Sequence, residues 1–123
     1  MDRYERGMRV RREVLGDEHV DRAVSNTTPT DADFQRFITE VAWGTLWSRD
    51  GLDRRTRSLV TIAILGALGH DEIDLHLRAA RHTGATLEEV QEVIMHVAVY
   101  AGIPAANRAI QRAKKIYDVD DHG

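Results

Sequence analysis

Arg49-Asp50-Gly51-Leu52-Asp53-Arg54-Arg55-Thr56-Arg57-Ser58-Leu59-Val60-Thr61-Ile62-Ala63-Ile64-Leu65-Gly66-Ala67-Leu68-Gly69-His70-Asp71-Glu72-Ile73-Asp74-Leu75-His76 is the stretch on which the fold turns. No charged residue interrupts it between Leu59 and Leu68. An apolar run of that length is too short to cross a bilayer, which takes about 20 residues. It reads instead as a helix buried over most of its circumference in a soluble core. Arginines at 49, 54, 55 and 57 crowd its start, and Asp71, Glu72, Asp74 and His76 follow its end. Charged groups gathered at the ends of a buried helix are the first place to look for chemistry.

Working outward, punctuation marks a succession of helices. Upstream, residues 3 to 15 have loosely helical spacing and stop at Gly16; a short helix over 17 to 24 follows. Ser25 to Pro29 is a loop by composition. Thr30 reads as an N-cap with Asp33 three residues on. The helix it starts runs to about Trp47, with apolar positions at Phe34, Phe37, Ile38, Val41, Ala42 and Trp47. Asp53 suits the N-cap of the central helix, which Gly69-His70 ends. Downstream, Asp71 can cap a helix from Glu72 to about Thr83 that Gly84 terminates. Thr86-Leu87-Glu88-Glu89 has the pattern of a capping box and opens a helix to about Ala101. Gly102-Ile103-Pro104 breaks the chain, and Pro104 suits the first turn of a last helix ending near Tyr117. The acidic tail, 118 to 123, reads as frayed. No segment alternates with period two. The expectation is an all-α helical bundle of about six helices, one domain over residues 1 to 123.

Composition narrows the function. The chain has 123 residues and no cysteine, which removes disulfides, zinc–thiolate sites and cysteine nucleophiles together. A net charge of −3 leaves no overall footprint for nucleic acid. The charged start, Met1-Asp2-Arg3-Tyr4-Glu5-Arg6, does not resemble a signal peptide, so a cytoplasmic location is expected and no membrane partner. His70, His76, His82 and His96 lack a compact metal spacing, and no metal site is expected.

Three groups could carry chemistry. The arginines at 49, 54, 55 and 57 oppose the dipole of the helix they precede, and such local conflict is often functional. With backbone N–H groups they could hold a carboxylate; equally, Asp50, Asp53 and other acids could neutralise them on the surface. Glu72 and His76 are four apart, an acid/base pair or an ordinary i,i+4 surface pair. Glu92, His96 and Tyr100 form a polar stripe on an apolar helix, lining a cavity or interface or lying half exposed. Trp43 and Trp47 share a face, more readily as core than as pocket wall. The N-terminal arginines, interleaved with Asp2, Glu5 and Glu13, read as a solvated face, although the cluster could bind an anion.

The ordered set Trp43-Gly44-x-x-Trp47-x-Arg49-x-Gly51-Leu52-Asp53-x-Arg55-x-Arg57-Ser58-Leu59, His76, Gly84-x-Thr86-x-Glu88-Glu89-Val90-x-Glu92-Val93 and Tyr100-x-Gly102-x-Pro104-Ala105-Ala106 resembles the carboxymuconolactone decarboxylase family. So does the start, Gly7-Met8-x-Val10-Arg11-Arg12-Glu13-Val14-Leu15-Gly16, and the likeness runs from about residue 4 to 117. The wider superfamily includes alkylhydroperoxidase D proteins, whose CxxC precedes a histidine by four residues. That histidine corresponds to His76, while the cysteine positions are Gly69 and Glu72, so thiol peroxidase chemistry is excluded.

The resemblance implies an alkylhydroperoxidase D-like helical subunit, a homo-oligomer (hexamer or trimer), and decarboxylation of 4-carboxymuconolactone to the enol-lactone of 3-oxoadipate in protocatechuate breakdown. It implies no cofactor, because electrons left by CO₂ delocalise through the ring double bond onto the lactone carbonyl. The roles it suggests are His76 as proton donor oriented by Glu72, Glu40 as a second acid, and Arg49 and Arg57 as carboxylate ligands with Arg55 as helper. Trp47 and Tyr100 would wall the cavity, with His96 beside them on the substrate side. Two other readings stand: a paralogue acting on another lactone or unsaturated acid, and a non-catalytic helical oligomer that binds a small anion.

Overall fold

Asp2 lies in extended backbone, and its carboxylate accepts the Glu5 N–H at 2.7 Å. That cap starts α1 (Arg3–Leu15), which ends at Gly16, where φ is 91°. A computed structural model describes residues 1–122, with side chains through Asp118. After α1 come α2 (Asp17–Ser25), α3 (Ala32–Ile38), a π-helix (Thr39–Leu46), α4 (Arg54–Leu68), α5 (Ile73–Thr83), α6 (Leu87–Tyr100) and α7 (Ile103–His122). The expected all-α class is observed, with seven α-helices and the π-helix among the described residues in place of about six. None is long and apolar enough to cross a membrane. The chain divides into two compact units, Met1–Arg54 and Arg55–Gly123.

In the first unit, α1 buries Gly7, Val10, Arg11, Val14 and Leu15, the 3–4 spacing of a core-facing stripe. It lies against the π-helix at a contact of two glycines. A Cβ built on Gly7 would sit 2.0 Å from the Thr39 carbonyl oxygen, and one on Gly44 would sit 2.3 Å from that of Arg3. The π-helix shows in the i→i+5 backbone bond from the Trp47 N–H to the Ala42 carbonyl at 2.9 Å, and the Thr45 hydroxyl also donates to the Glu40 carbonyl at 3.0 Å. The Gly44 carbonyl accepts from Arg6 Nε at 3.0 Å and from the Ser48 hydroxyl at 2.7 Å. This register explains a departure from expectation. Trp43 and Trp47 are buried with ring centroids 5.1 Å apart, but Phe34, Phe37 and Val41 are exposed. Turning Trp43 and Gly44 inward leaves the α3 aromatics outside. Thr30 does not cap α3 either. Asp31 holds the N-cap position and directs its carboxylate back to the Thr28 N–H at 2.8 Å, closing the turn around Pro29.

The second unit is built on Ile62, Ile73, Leu77, Val90, Ile94 and Ile116. Thr86 and Glu89 form the expected capping box: the Glu89 N–H donates to Thr86 Oγ1 at 3.1 Å, and the Thr86 N–H to Glu89 Oε1 at 3.0 Å. Gly84 ends α5 with φ 89°, a left-handed conformation that costs glycine little. Glu72, not Asp71, occupies the α5 N-cap position. Asp71 is drawn away by α7, where Arg108 reaches it at 2.7 Å and Arg112 at 2.5 Å. The Arg108 hydrogen bond, with the Arg112 charge, holds the Asp71 carboxyl below its usual range. Tyr117 donates from its hydroxyl to the Leu77 carbonyl at 2.8 Å, and burial raises its pKa. α7 continues to His122, past the expected end at Tyr117, because no glycine or proline follows Pro104 before Gly123. The tail read as frayed thus begins within α7, and Gly123 lies outside the described residues.

The central helix differs most from its reading. Within its own unit α4 buries only Ser58, Ile62 and Gly66, a single i,i+4 stripe. Val60, Ile64 and Leu68, on another i,i+4 stripe, are exposed. An apolar run with no charges is thus covered on one side by its own unit and left open on the other.

Candidate functional site

Three of the expected site residues, Glu40, Trp47 and Arg49, lie in the first unit. Glu40 sits in the first turn of the π-helix and accepts from Arg36 Nε at 2.9 Å and from an Arg3 Nη at 3.4 Å. Trp47 is buried directly after the π-helix. With Arg49, Arg54 and Asp53 it lines a cavity of about 280 Å³ formed by the turn that leads into α4. The structure therefore brings Trp47 and Arg49 together, as a wall and a cation at one opening. Arg54 of the same cavity is ion-paired with Glu13 of α1. That hydrogen bond is the main reason the Glu13 carboxyl titrates below its ordinary value, with Arg9 helping from one turn away at 3.3 Å.

The remaining six, Arg55, Arg57, Glu72, His76, His96 and Tyr100, lie in the second unit. Arg55 is ion-paired with Glu89, the acidic member of the α6 capping box. It joins the start of α4 to the start of α6. Arg57 is half-buried in the first turn of α4, where its carbonyl accepts from the Thr61 hydroxyl at 2.8 Å. Behind it Ser58 is wholly buried, and its hydroxyl lies 2.8 Å from that of Thr83. Ser58 was not among the expected site residues; its small polar side chain inside an arginine-rich turn was the available signal.

His76 is 9% exposed on the inner face of α5. Glu72, one turn earlier, is exposed, and its side chain caps no backbone N–H. The i,i+4 spacing holds, but the two side chains sit in different environments, one wet and one dry. A buried imidazole on an apolar helix face is screened little and responds strongly to any charge brought beside it. His96 and Tyr100 stack with centroids 4.9 Å apart and 25° between planes. Both are exposed, Tyr100 by 80%, so the stripe on α6 faces outward from its unit.

The N-terminal arginines divide sharply. Arg12 is held by Asp21 at 2.8 Å and Asp17 at 3.1 Å, which raise its pKa, in the manner of a solvated face. Arg11 is 6% exposed, and burial pulls its guanidinium below its ordinary value. Its place at i+4 from Gly7 and one residue after Val10 was the signal that it belongs to the inward stripe.

Residues 32–115 match the carboxymuconolactone decarboxylase family. The chain is 51% identical over 116 residues to a 4-carboxymuconolactone decarboxylase of Acinetobacter baylyi, covering 94% of this chain and 87% of that enzyme. It is 44% identical over 122 residues to a nitrosuccinic acid decarboxylase of Metarhizium robertsii, covering 98% of this chain and 85% of that protein. It is 35% identical over 108 residues to an uncharacterised 15.0 kDa protein of Paracoccus denitrificans, covering 85% and 78%. With a family match over most of its length and half its residues shared with a relative of similar size, the chain belongs to the carboxymuconolactone decarboxylase family.

Proposed function

We propose that the protein decarboxylates 4-carboxymuconolactone to the enol-lactone of 3-oxoadipate. The observation that carries this reading is the 51% identity to a named 4-carboxymuconolactone decarboxylase across nearly all of both chains. The chemistry asks for little machinery. The departing carboxylate leaves an electron pair that the lactone ring itself accepts, so the protein has to hold a carboxylate, stabilise the developing oxyanion and return a proton to carbon. Arginine is suited to the first task because its planar fork matches a carboxylate. We assign it to Arg49 and Arg57. We assign the proton to His76, the titratable group of α5 that is shielded from bulk water.

A second reading rests on the 44% identity to a nitrosuccinic acid decarboxylase. That acid has the same logic, since its nitro group can take the electrons that the lactone takes in the first case. Both are dicarboxylic acids that lose one CO₂ and keep one carboxylate for an arginine to hold. Incubating the protein with each acid and following ultraviolet decay and CO₂ release decides between them. Faster turnover of 4-carboxymuconolactone is expected; turnover of nitrosuccinate alone reverses the assignment, and turnover of neither leaves the anion-binding oligomer.

The protein acts as a homo-oligomer in this reading. Val60, Ile64 and Leu68 along α4, and Met95, Val99, Tyr100 and Ile103 on α6 and the start of α7, leave large apolar side chains of one unit in water. Exposed apolar side chains of this kind are what a self-complementary interface buries. Sedimentation velocity is expected to give a species of at least three chains, and Val99→Glu with Ile64→Glu is expected to shift it toward monomer.

A further inference from the structure

The first unit has a half-open cavity of about 400 Å³ whose lining includes Tyr4, Met8, Arg11, Val24, Gln35 and Thr39. Its size falls in the range of small-molecule sites, about 300–1,000 Å³. Arg11 is the unusual wall. The side chain is 6% exposed, yet its hydrogen bonds go to neutral oxygens only, Thr39 Oγ1 at 3.3 Å and Gln35 Oε1 at 3.2 Å. Its Nε has no hydrogen-bond partner among the described residues. Other carboxylates of the unit are engaged elsewhere: Glu13 by Arg9 and Arg54, Glu40 by Arg3 and Arg36, Asp17 and Asp21 by Arg12; Asp33, on the cavity lining, makes no ion pair with Arg11. A buried cation without a counter-ion is costly, and proteins keep one where an anion comes to meet it.

The character of that anion follows from the other walls. Tyr4, Met8 and Val24 supply apolar surface for a hydrocarbon body. Asp33, also on the lining, opposes a second negative charge. The other guanidinium on the lining, Arg36, is held by Glu40 at 2.9 Å, which leaves Arg11 to match a single planar carboxylate. We propose that this cavity binds a small apolar monocarboxylate, gripped by Arg11 beside Gln35 and Thr39. The site uses none of the residues assigned to decarboxylation.

Sodium benzoate is the probe, titrated calorimetrically into the full-length protein at constant ionic strength. A saturable one-to-one isotherm with Kd of about 1 mM or tighter is expected. Arg11→Met is expected to weaken binding by at least about tenfold. Ala32→Trp provides the check that does not depend on the fold surviving loss of Arg11. Ala32 is an exposed lining residue at the first position of α3, so a large side chain there fills the cavity while Arg11 remains. It is expected to abolish benzoate binding with an unchanged circular dichroism spectrum. Arg57→Gln is expected to leave the isotherm as it was. The proposal is overturned by no binding at about 10 mM benzoate, by binding that survives Ala32→Trp, by binding lost in Arg57→Gln, or by displacement of benzoate by equimolar inorganic phosphate.

Discussion

His76→Gln is expected to lower kcat for 4-carboxymuconolactone by about 10²–10⁴-fold, the range for loss of a positioned proton donor, with little change in KM. Proton delivery to carbon occurs only on the way through the transition state, so removing it weakens no ground-state contact. Glutamine keeps a planar polar side chain of similar reach but cannot transfer a proton. The histidine is 9% exposed, so the variant must be compared at equal folded fraction, using denaturant titration alongside kinetics. A folded His76→Gln protein with near-normal turnover would move the donor role to another acid, Glu40 being the next to test.

Gly7→Ala is expected to destabilise the protein by about 3 kcal/mol, the upper end of what overpacking usually costs. A glycine replaced by alanine inside a helix normally gains about 1 kcal/mol, so the sign itself is informative. The added methyl carbon would lie 2.0 Å from the Thr39 carbonyl oxygen and 2.9 Å from the Gly44 N. These are backbone atoms of the π-helix, which cannot swing aside as a side chain would. Gly44→Ala meets the backbone of Arg3 at 2.3 Å and should behave alike. Gly51→Ala meets nothing within 4 Å and is the internal control, expected to fall within about 0.5 kcal/mol of wild type. Urea titration of the three variants checks the set, and equal midpoints for Gly7→Ala and Gly51→Ala would contradict the close helix contact.

Helix boundaries were legible because the chain writes them in local chemistry. The Thr86–Glu89 box, Gly16 and Gly84 were readable because a cap involves neighbours in sequence. The reading of Asp71 as a cap failed for the opposite reason, since Arg108 and Arg112 claim it from far along the chain. Apolar runs were harder. The charge-free stretch of α4 reads as fully buried, but hydropathy does not say whether the chain's own residues or another copy provide the cover. Phe34 and Phe37 misled in the same way, because a π-helix beyond them changes which side faces inward. Among site residues, the grouping of Trp47 with Arg49 followed from their closeness in sequence. The burial of Arg11 amid solvated arginines was carried only by its phase relative to Gly7 and Val10.

The π-helix from Thr39 to Leu46 has a consequence for how this protein can diverge. Such a segment corresponds to a helix that has absorbed a surplus residue without breaking, and these segments recur at functional sites. Removing the surplus would restore an ordinary α-helical pitch and turn the residues directly after it about the helix axis. Trp47, Arg49 and the cavity they line come directly after it. One deletion could thus re-aim a hydrophobic wall and a cation together, leaving α1, α2 and the helices after Asp53 intact in sequence. A lineage that needed a differently shaped acid would have there a single genetic step with a concerted geometric effect, which no point substitution in the cavity lining supplies.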